Sequence, residues 1–166
     1  SAASRAYIPK EIWNETLDYI KGMIPQIKMG SSMGLSNFMN SVIDEKSFDT
    51  IVSYVERAKQ SDKAEIVIGG NSDKSVGYFI EPTIIVTTDP QYETMTTELF
   101  GPVITIYLYD ADKYEETLAL CDSTSPYALT GSIFAHSRYD IDTAMQALRY
   151  SAGNFYINDK PTGAVV

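Results

Sequence analysis

Positive charge, cysteine and histidine are all scarce in this sequence. Its 166 residues include 13 Lys and Arg against 22 Asp and Glu, which gives a net charge of −9. Nucleic acids and anionic membranes are bound by basic patches, so this balance argues against both as partners. The chain has one cysteine, Cys121, and one histidine, His136. A disulfide within the chain is excluded, and neither a zinc-binding pattern nor a Ser-His-Asp set can be assembled.

Long apolar runs are also missing. No run reaches 18 residues, so we predict no membrane-spanning helix. We do not expect the first residues, "SAASRAYIP", to be a cleavable leader, and the single cysteine favours a reducing compartment. The pair Gly69-Gly70 lacks the spacing of a dinucleotide fingerprint or a phosphate-binding loop. The length fits one domain with a sizeable core.

Apolar residues are present in two periodicities that alternate along the chain. Short apolar runs predict strands at "SRAYIP", "AEIVIGG", "GYFIEPTIIV" (broken by Pro82), "VITIYLY", "LTGSIFA" and "GNFYIN". Helical spacing predicts helices over 9–24, 44–60, 112–121 and 140–150. Because strands and helices alternate in the second half, we expect an α/β fold with a mostly parallel sheet flanked by helices.

The same patterns predict which side chains lie inside. Asp44 is expected to cap the second helix, and Cys121 to be a small buried hydrophobe instead of a reactive thiolate. His136 is expected in a surface turn. The residues predicted to face the core are Phe48, Ile51, Val52 and Val55 on the second helix, Ile141, Ala144, Met145 and Leu148 on the last helix, and Met29, Met33, Phe38 and Met39 beneath a loop.

The stretch "TELFGPV", residues 97–103, carries the one candidate binding site. A carboxylate accepts hydrogen bonds from paired sugar hydroxyls, and in extended backbone Phe100 points to the same side as Glu98. The two could hold a ribose and press on the ring attached to it. Gly101 lets the backbone pass close to a neighbour, and Pro102 stiffens the turn. The alternative is structural, namely a capped turn that leads into a buried strand.

Three segments together resemble the aldehyde dehydrogenase superfamily. "ELFGPV" is similar to its Glu-Ile-Phe-Gly-Pro-Val signature, "GYFIEPTII" to an upstream segment, and "SPYALTGSIFA" to a downstream one. The resemblance covers all 166 residues. "SVIDEKSF" and "AGNFYINDKPTGAVV" resemble one branch, the Δ1-pyrroline-5-carboxylate dehydrogenases, which oxidise glutamate γ-semialdehyde to glutamate with NAD in proline breakdown.

This resemblance implies roles for named residues. Glu98 would bind the nicotinamide ribose hydroxyls of NAD, and Phe100 would pack beside that ribose. Ser1, Gly163 and Ala164 would contact the small-molecule aldehyde substrate. Many members of the branch carry Ser where this chain has Ala164, so main-chain donors would replace a hydroxyl. No metal is implied.

The resemblance also implies that parts of the enzyme lie outside this sequence. The nucleophilic Cys is expected just before Ser1, and the Rossmann-type NAD domain and a C-terminal pairing strand are expected elsewhere. Residues 1–166 are therefore interpreted as a single partial catalytic domain, inactive when isolated. A non-catalytic interaction module is the alternative. We expect the whole protein to be a homo-oligomer, in the mitochondrial matrix if eukaryotic and otherwise in the cytoplasm.

Overall fold

Eight strands and five helices build the part of the chain that is described, residues 3–161 of a computed structural model. The strands are β1 (Arg5–Pro9), β2 (Ala64–Ile68), β3 (Ser72–Asp73), β4 (Phe79–Ile80), β5 (Thr83–Thr87), β6 (Val103–Tyr109), β7 (Thr130–Ile133) and β8 (Asn154–Ile157). The helices are α1 (Lys10–Met23), α2 (Glu45–Gln60), α3 (Glu93–Thr96), α4 (Tyr114–Ser123) and α5 (Arg138–Ala147).

The larger sheet has four strands in the order β1-β6-β5-β2. β6 pairs in parallel with β1 and β5, whereas β2 joins β5 in antiparallel fashion. The smaller sheets are the antiparallel pair β3-β4 and the parallel pair β7-β8. Three of the five pairings are therefore parallel, which confirms the predicted class of a mostly parallel sheet flanked by helices.

Prolines and a cap set several element boundaries as the sequence predicts. β1 ends at Pro9 and α1 begins at the next residue, since proline has no N–H for a sheet ladder. Pro25 lies in the tight turn where α1 has ended. Pro82 separates β4 from β5. The Asp44 carboxylate accepts a hydrogen bond from the Ser47 amide at 2.7 Å, which caps α2.

Two apolar clusters form the core. The first lies between α2 and the large sheet; Phe48, Ile51 and Val55 of α2 are buried in it, and Val52 packs at its edge. The second lies under α4 and α5, where Leu118, Ala144 and Leu148 pack against the β7-β8 pair. The hydroxyl of Tyr7 donates to Thr124 Oγ1 at 2.7 Å and so joins the two regions.

Two predictions about inward-facing residues are wrong. Met145 is 46% exposed, because the narrow β7-β8 pair covers only the line of Ala144 and Leu148 on α5. Met33 and Phe38 are exposed as well, because backbone hydrogen bonds close their loop, including one from the Phe38 amide to the Lys28 carbonyl.

The helices of the described region are short. The longest, α2, has 16 residues, and within residues 3–161 none combines the length and the apolar character that a bilayer crossing requires.

Candidate functional site

The candidate site is the loop of residues 97–102, which connects α3 to the central strand β6. Its two ends are held in the core. On the α3 side Met95 is buried, and the Thr105 hydroxyl of β6 donates to Thr94 Oγ1 at 2.7 Å in the interior. On the β6 side the Thr83 amide donates to the Pro102 carbonyl at 2.8 Å, which begins the pairing with β5. The loop therefore leaves a rigid base at both ends.

Side chains of the loop alternate between core and solvent. Leu99 packs against the first apolar cluster, whereas its neighbours Glu98 and Phe100 are exposed. The Glu98 carboxylate has no salt-bridge partner within residues 3–161. An anchored carboxylate with free acceptor oxygens beside an exposed ring can accept hydrogen bonds from a diol and cover the flat group next to it.

The backbone at Phe100 differs from the extended conformation that the sequence predicts. Its φ is +53°, in the left-handed region that side-chain-bearing residues rarely adopt. The extended backbone that the sequence predicts at Phe100 is therefore wrong, although the Phe100 ring and the Glu98 carboxylate are both exposed. The ring is 87% exposed, so no burial of its own offsets this strain. Strained backbone that the surrounding fold enforces is concentrated at ligand-binding sites.

Gly101 provides the close approach that its place in the loop predicts. A Cβ at this position would overlap Cδ1 of Ile51, which is fully buried in α2. The amide of Val103, two residues further on, donates to the Gly101 carbonyl at 2.8 Å, which tightens the turn into β6. Glycine is thus favoured here by packing, and not by a positive φ.

The lone histidine is placed as the sequence predicts, and the lone cysteine lies on the predicted apolar side of its helix but is less buried than expected. Cys121 is half-buried against the second cluster, and burial raises the pKa of its thiol. Because reactive cysteines need a lowered pKa, Cys121 is not an activated nucleophile. His136 lies exposed in a bend after β7.

The loop after β8 is held by side chains that the sequence reasoning missed. Asn158 has a φ of +54°, its Oδ1 accepts from the Ala135 amide at 2.9 Å, and its Nδ2 donates to the Ala135 carbonyl at 3.0 Å. Ser132 Oγ donates to the Asp159 carbonyl. An Asn at the end of the predicted strand "GNFYIN" was the available signal, because asparagine tolerates left-handed backbone. The predicted substrate residues Ser1, Gly163 and Ala164 lie outside the described residues.

The aldehyde dehydrogenase family model matches residues 1–166, the whole chain. The chain belongs to the aldehyde dehydrogenase family. Among curated relatives it is 57% identical over 166 residues to the mitochondrial Delta-1-pyrroline-5-carboxylate dehydrogenase of Dictyostelium discoideum and 44% identical over 167 residues to that of Homo sapiens. The chain is covered completely in both alignments but spans only 30% of each relative's length.

Solved aldehyde dehydrogenases share the fold. The Delta-pyrroline-5-carboxylate dehydrogenase of Mycobacterium tuberculosis bound with NAD superposes with a TM-score of 0.87 at 39% identity, over 98% of this chain and 29% of that one. The 1-pyrroline-5-carboxylate dehydrogenase from Thermus with bound NAD gives a TM-score of 0.85 at 27% identity, over 100% of this chain and 31% of that one. The described architecture is therefore that of the family.

Proposed function

We propose that this chain forms part of an NAD-dependent L-glutamate γ-semialdehyde dehydrogenase and supplies the surface that holds the nicotinamide ribose. Two findings support the proposal. Relatives with complete coverage of the chain are named Delta-1-pyrroline-5-carboxylate dehydrogenases, and two structural relatives of that name contain NAD. In this reaction, bound NAD accepts the hydride that the aldehyde loses as it becomes an acid.

The single observation that carries the proposal is the conformation of the 97–102 loop. Both of its ends are fixed in the core, yet Glu98 and Phe100 are exposed, and Phe100 keeps a strained backbone that stability alone does not favour. Glu98 accepts hydrogen bonds from the ribose hydroxyls, and Phe100 limits how the ribose can move. Neither residue makes or breaks a bond. Their contribution is orientation, which can affect the rate by about a hundredfold for a displacement of about 1 Å.

The substrate side of the proposal concerns the loop after β8. Backbone N–H groups near Gly163 and Ala164 bind the carboxylate of the small aldehyde substrate, and Ser1 lines the same pocket. In support, residues 158–159, which precede Gly163, are attached to Ser132 of β7 and to Ala135 just after that strand. The nucleophilic thiol comes from outside these residues, since Cys121 is half-buried with a raised pKa.

Substitution of the two loop residues tests the cofactor role. The experiment uses a chimera in which these 166 residues replace the matching segment of the Dictyostelium discoideum relative. We expect Glu98→Ala to lower kcat/KM for NAD by about 10- to 100-fold, because each hydrogen bond to a charged acceptor contributes about 1.5–3 kcal/mol. Phe100→Ala is expected to lower kcat by about tenfold through looser positioning.

The matched controls are Glu15→Ala and Tyr19→Ala, which remove an exposed carboxylate and an exposed ring from α1. Both should leave the kinetics of the chimera unchanged. If Glu98→Ala and Phe100→Ala behave like these controls, the two residues do not belong to the cofactor site.

The isolated chain gives a second test. With Cys121 as its only thiol, the 166-residue chain should form no NADH from NAD and glutamate semialdehyde under conditions in which the chimera is active. In the chimera, Cys121→Ser should retain the activity. Turnover by the isolated chain would contradict both the assignment of Cys121 as unreactive and the proposal that the nucleophilic thiol comes from outside these residues.

An interaction module remains the second candidate, and one observation favours it. Several large apolar side chains stand free on the described surface, among them Leu35, Ile43 and Val76. Exposed apolar side chains mark a binding surface when they join into one patch, and dye binding measures whether these do. Size-exclusion chromatography and titration with an apolar dye separate the two candidates. A monomer that does not bind the dye argues against the module.

The proposal extends to location and assembly. The Dictyostelium discoideum and Homo sapiens relatives are named as mitochondrial proteins, which supports a mitochondrial matrix location if the source is eukaryotic; the cytoplasm is the proposed location otherwise. A homo-oligomer is the proposed assembly of the whole enzyme. Sedimentation of the chimera measures it directly.

A further inference from the structure

The geometry points to Arg57, on the exposed side of α2, as a positioning residue for the cofactor loop. This inference rests on the proposed function, because it concerns how Glu98 and Phe100 are held. Arg57 touches neither residue. It acts through Glu93, the first residue of the four-residue helix α3, from which the loop emerges.

Arg57 and Glu93 form a two-pronged ion pair between elements that are distant in sequence. Arg57 Nε donates to Glu93 Oε1 at 2.9 Å, and Nη2 donates to Oε2 at 2.8 Å. The guanidinium also lies over the ring of Tyr54, 4.2 Å from its centroid. This stacking, and a hydrogen bond from Arg57 Nη1 to Ser53 Oγ at 3.3 Å, hold the Arg57 side chain in the conformation that pairs with Glu93. A paired, planar contact of this kind fixes direction as well as distance.

Glu93 transmits this restraint to the loop through its backbone. Its carbonyl accepts hydrogen bonds from the Thr97 amide at 2.9 Å and from the Thr96 hydroxyl at 3.2 Å. Glu98 follows directly. A helix of four residues has little stability of its own, so α3 depends on such external contacts for its orientation. A shift of Glu93 therefore moves the residue that carries the candidate ribose-binding carboxylate.

The helix α2 contacts the cofactor segment at both ends. Arg57 in its last turn holds the start of α3, and Ile51, in the middle of the same helix, lies against Gly101 at the end of the loop. Because Ile51 is fully buried, α2 itself is fixed to the core. One rigid helix thus contacts both the entry and the exit of the segment between Glu93 and Gly101.

Hydrogen exchange tests the structural half of this inference on the 166-residue chain. In Arg57→Met, the aliphatic stem is kept and the paired contact is lost. We expect the Thr96 and Thr97 amides to exchange about three- to tenfold faster, with no change for the amides of β5. Arg57→Lys keeps the charge without the planar fork, so an intermediate increase is expected.

The control is Lys10→Met, which breaks another exposed ion pair, Lys10 to Asp110 at 2.8 Å, away from the loop. It should leave the Thr96 and Thr97 amides unchanged. Glu93→Gln removes the charge on the other side of the same ion pair. If the two residues act as one unit, the double variant Arg57→Met, Glu93→Gln should exchange the Thr96 and Thr97 amides no faster than either single variant.

The chimera tests the functional half. Arg57→Met should raise KM for NAD about three- to fivefold and leave KM for the aldehyde unchanged. If Arg57→Met speeds Thr97 exchange but leaves KM for NAD unaltered, while Glu98→Ala lowers kcat/KM for NAD, the positioning role of Arg57 is overturned. If Glu98→Ala is also unimpaired, the proposed function itself has failed. Unchanged exchange in Arg57→Met would overturn the inference whatever the kinetics.

Discussion

Phe100 combines a left-handed backbone with an exposed aromatic ring. Its φ of +53° is set by its neighbours, because Leu99 is anchored in the core and Gly101 lies against Ile51. For an ordinary residue this conformation costs about 1–2 kcal/mol. Phenylalanine in such a place is difficult to explain by stability and easy to explain by contact with a ligand.

Substitutions at Phe100 should separate strain from function. Phe100→Gly relieves the left-handed strain, which outweighs the entropy cost of glycine, and should raise the free energy of unfolding of the chain by about 0.5–1 kcal/mol. Phe100→Val should lower it, since a β-branched residue tolerates a positive φ least. In the chimera both should weaken NAD-dependent turnover. Urea titration measures the free energy of unfolding. If the Phe100→Val variant is more stable than the Phe100→Gly variant, the strain argument is contradicted.

At the scale of elements, α2 organises both the core and the site. Its apolar face fills the first cluster, its capped N-terminus begins at Asp44, and Arg57 reaches α3. The loop of residues 97–102 can pass close to α2 only because position 101 has no side chain. Packing between a helix and a loop, and not the loop's own turn propensity, thus decides where Glu98 lies.

A pair of substitutions tests that contact. Gly101→Ala should destabilise the chain by about 1–3 kcal/mol, because the new methyl group overlaps Cδ1 of Ile51. Ile51→Val removes that same atom and alone should cost about 0.5–1.5 kcal/mol. The double variant should be more stable than the sum of the two effects implies. If the two single-variant losses in free energy of unfolding, measured by urea titration, simply add in the double variant, the overlap with Ile51 is not what destabilises Gly101→Ala.

At the scale of the whole molecule, partly buried tyrosine hydroxyl groups connect the layers. Tyr7 bridges from β1 to Thr124, and Tyr114 of α4 donates to the Asp140 carbonyl of α5 at 2.9 Å. Burial raises the pKa of Tyr7, Tyr109 and Tyr114, the last to about 12. Each of these groups is harder to deprotonate in the folded chain than in the unfolded one.

Alkaline unfolding follows from these shifted pKa values. Between pH 10 and about pH 12 the folded chain binds more protons than the unfolded chain, so the free energy of unfolding should fall as pH rises. Below pH 10 the contribution of Tyr114 is fully present. Tyr114→Phe should cost about 1 kcal/mol at pH 7 through the lost hydrogen bond, and it should flatten the decline above pH 10. A parallel decline in both proteins would contradict the role of Tyr114.

Much of the fold could be predicted because its signals are local. Proline positions, the cap at Asp44 and apolar runs each act within a few residues, and they correctly located the main strands and helices. The "ELFGPV" motif also led to the family. The exposure of Met145 could not be predicted in this way, because it depends on the width of the sheet that α5 meets.

The sequence by itself determined the order of the main strands and helices but missed β3 and α3. It also determined the largely parallel class, the lack of an activated cysteine within these residues, and Glu98 and Phe100 as the candidate site. Tertiary structure alone decided the antiparallel place of β2, the left-handed backbone of Phe100, and the pairing of Arg57 with Glu93 across 36 residues of chain. The physical reason is the distance along the chain over which each interaction acts. Caps and turns act between neighbours, whereas the site is shaped by contacts among segments that meet only when the chain folds.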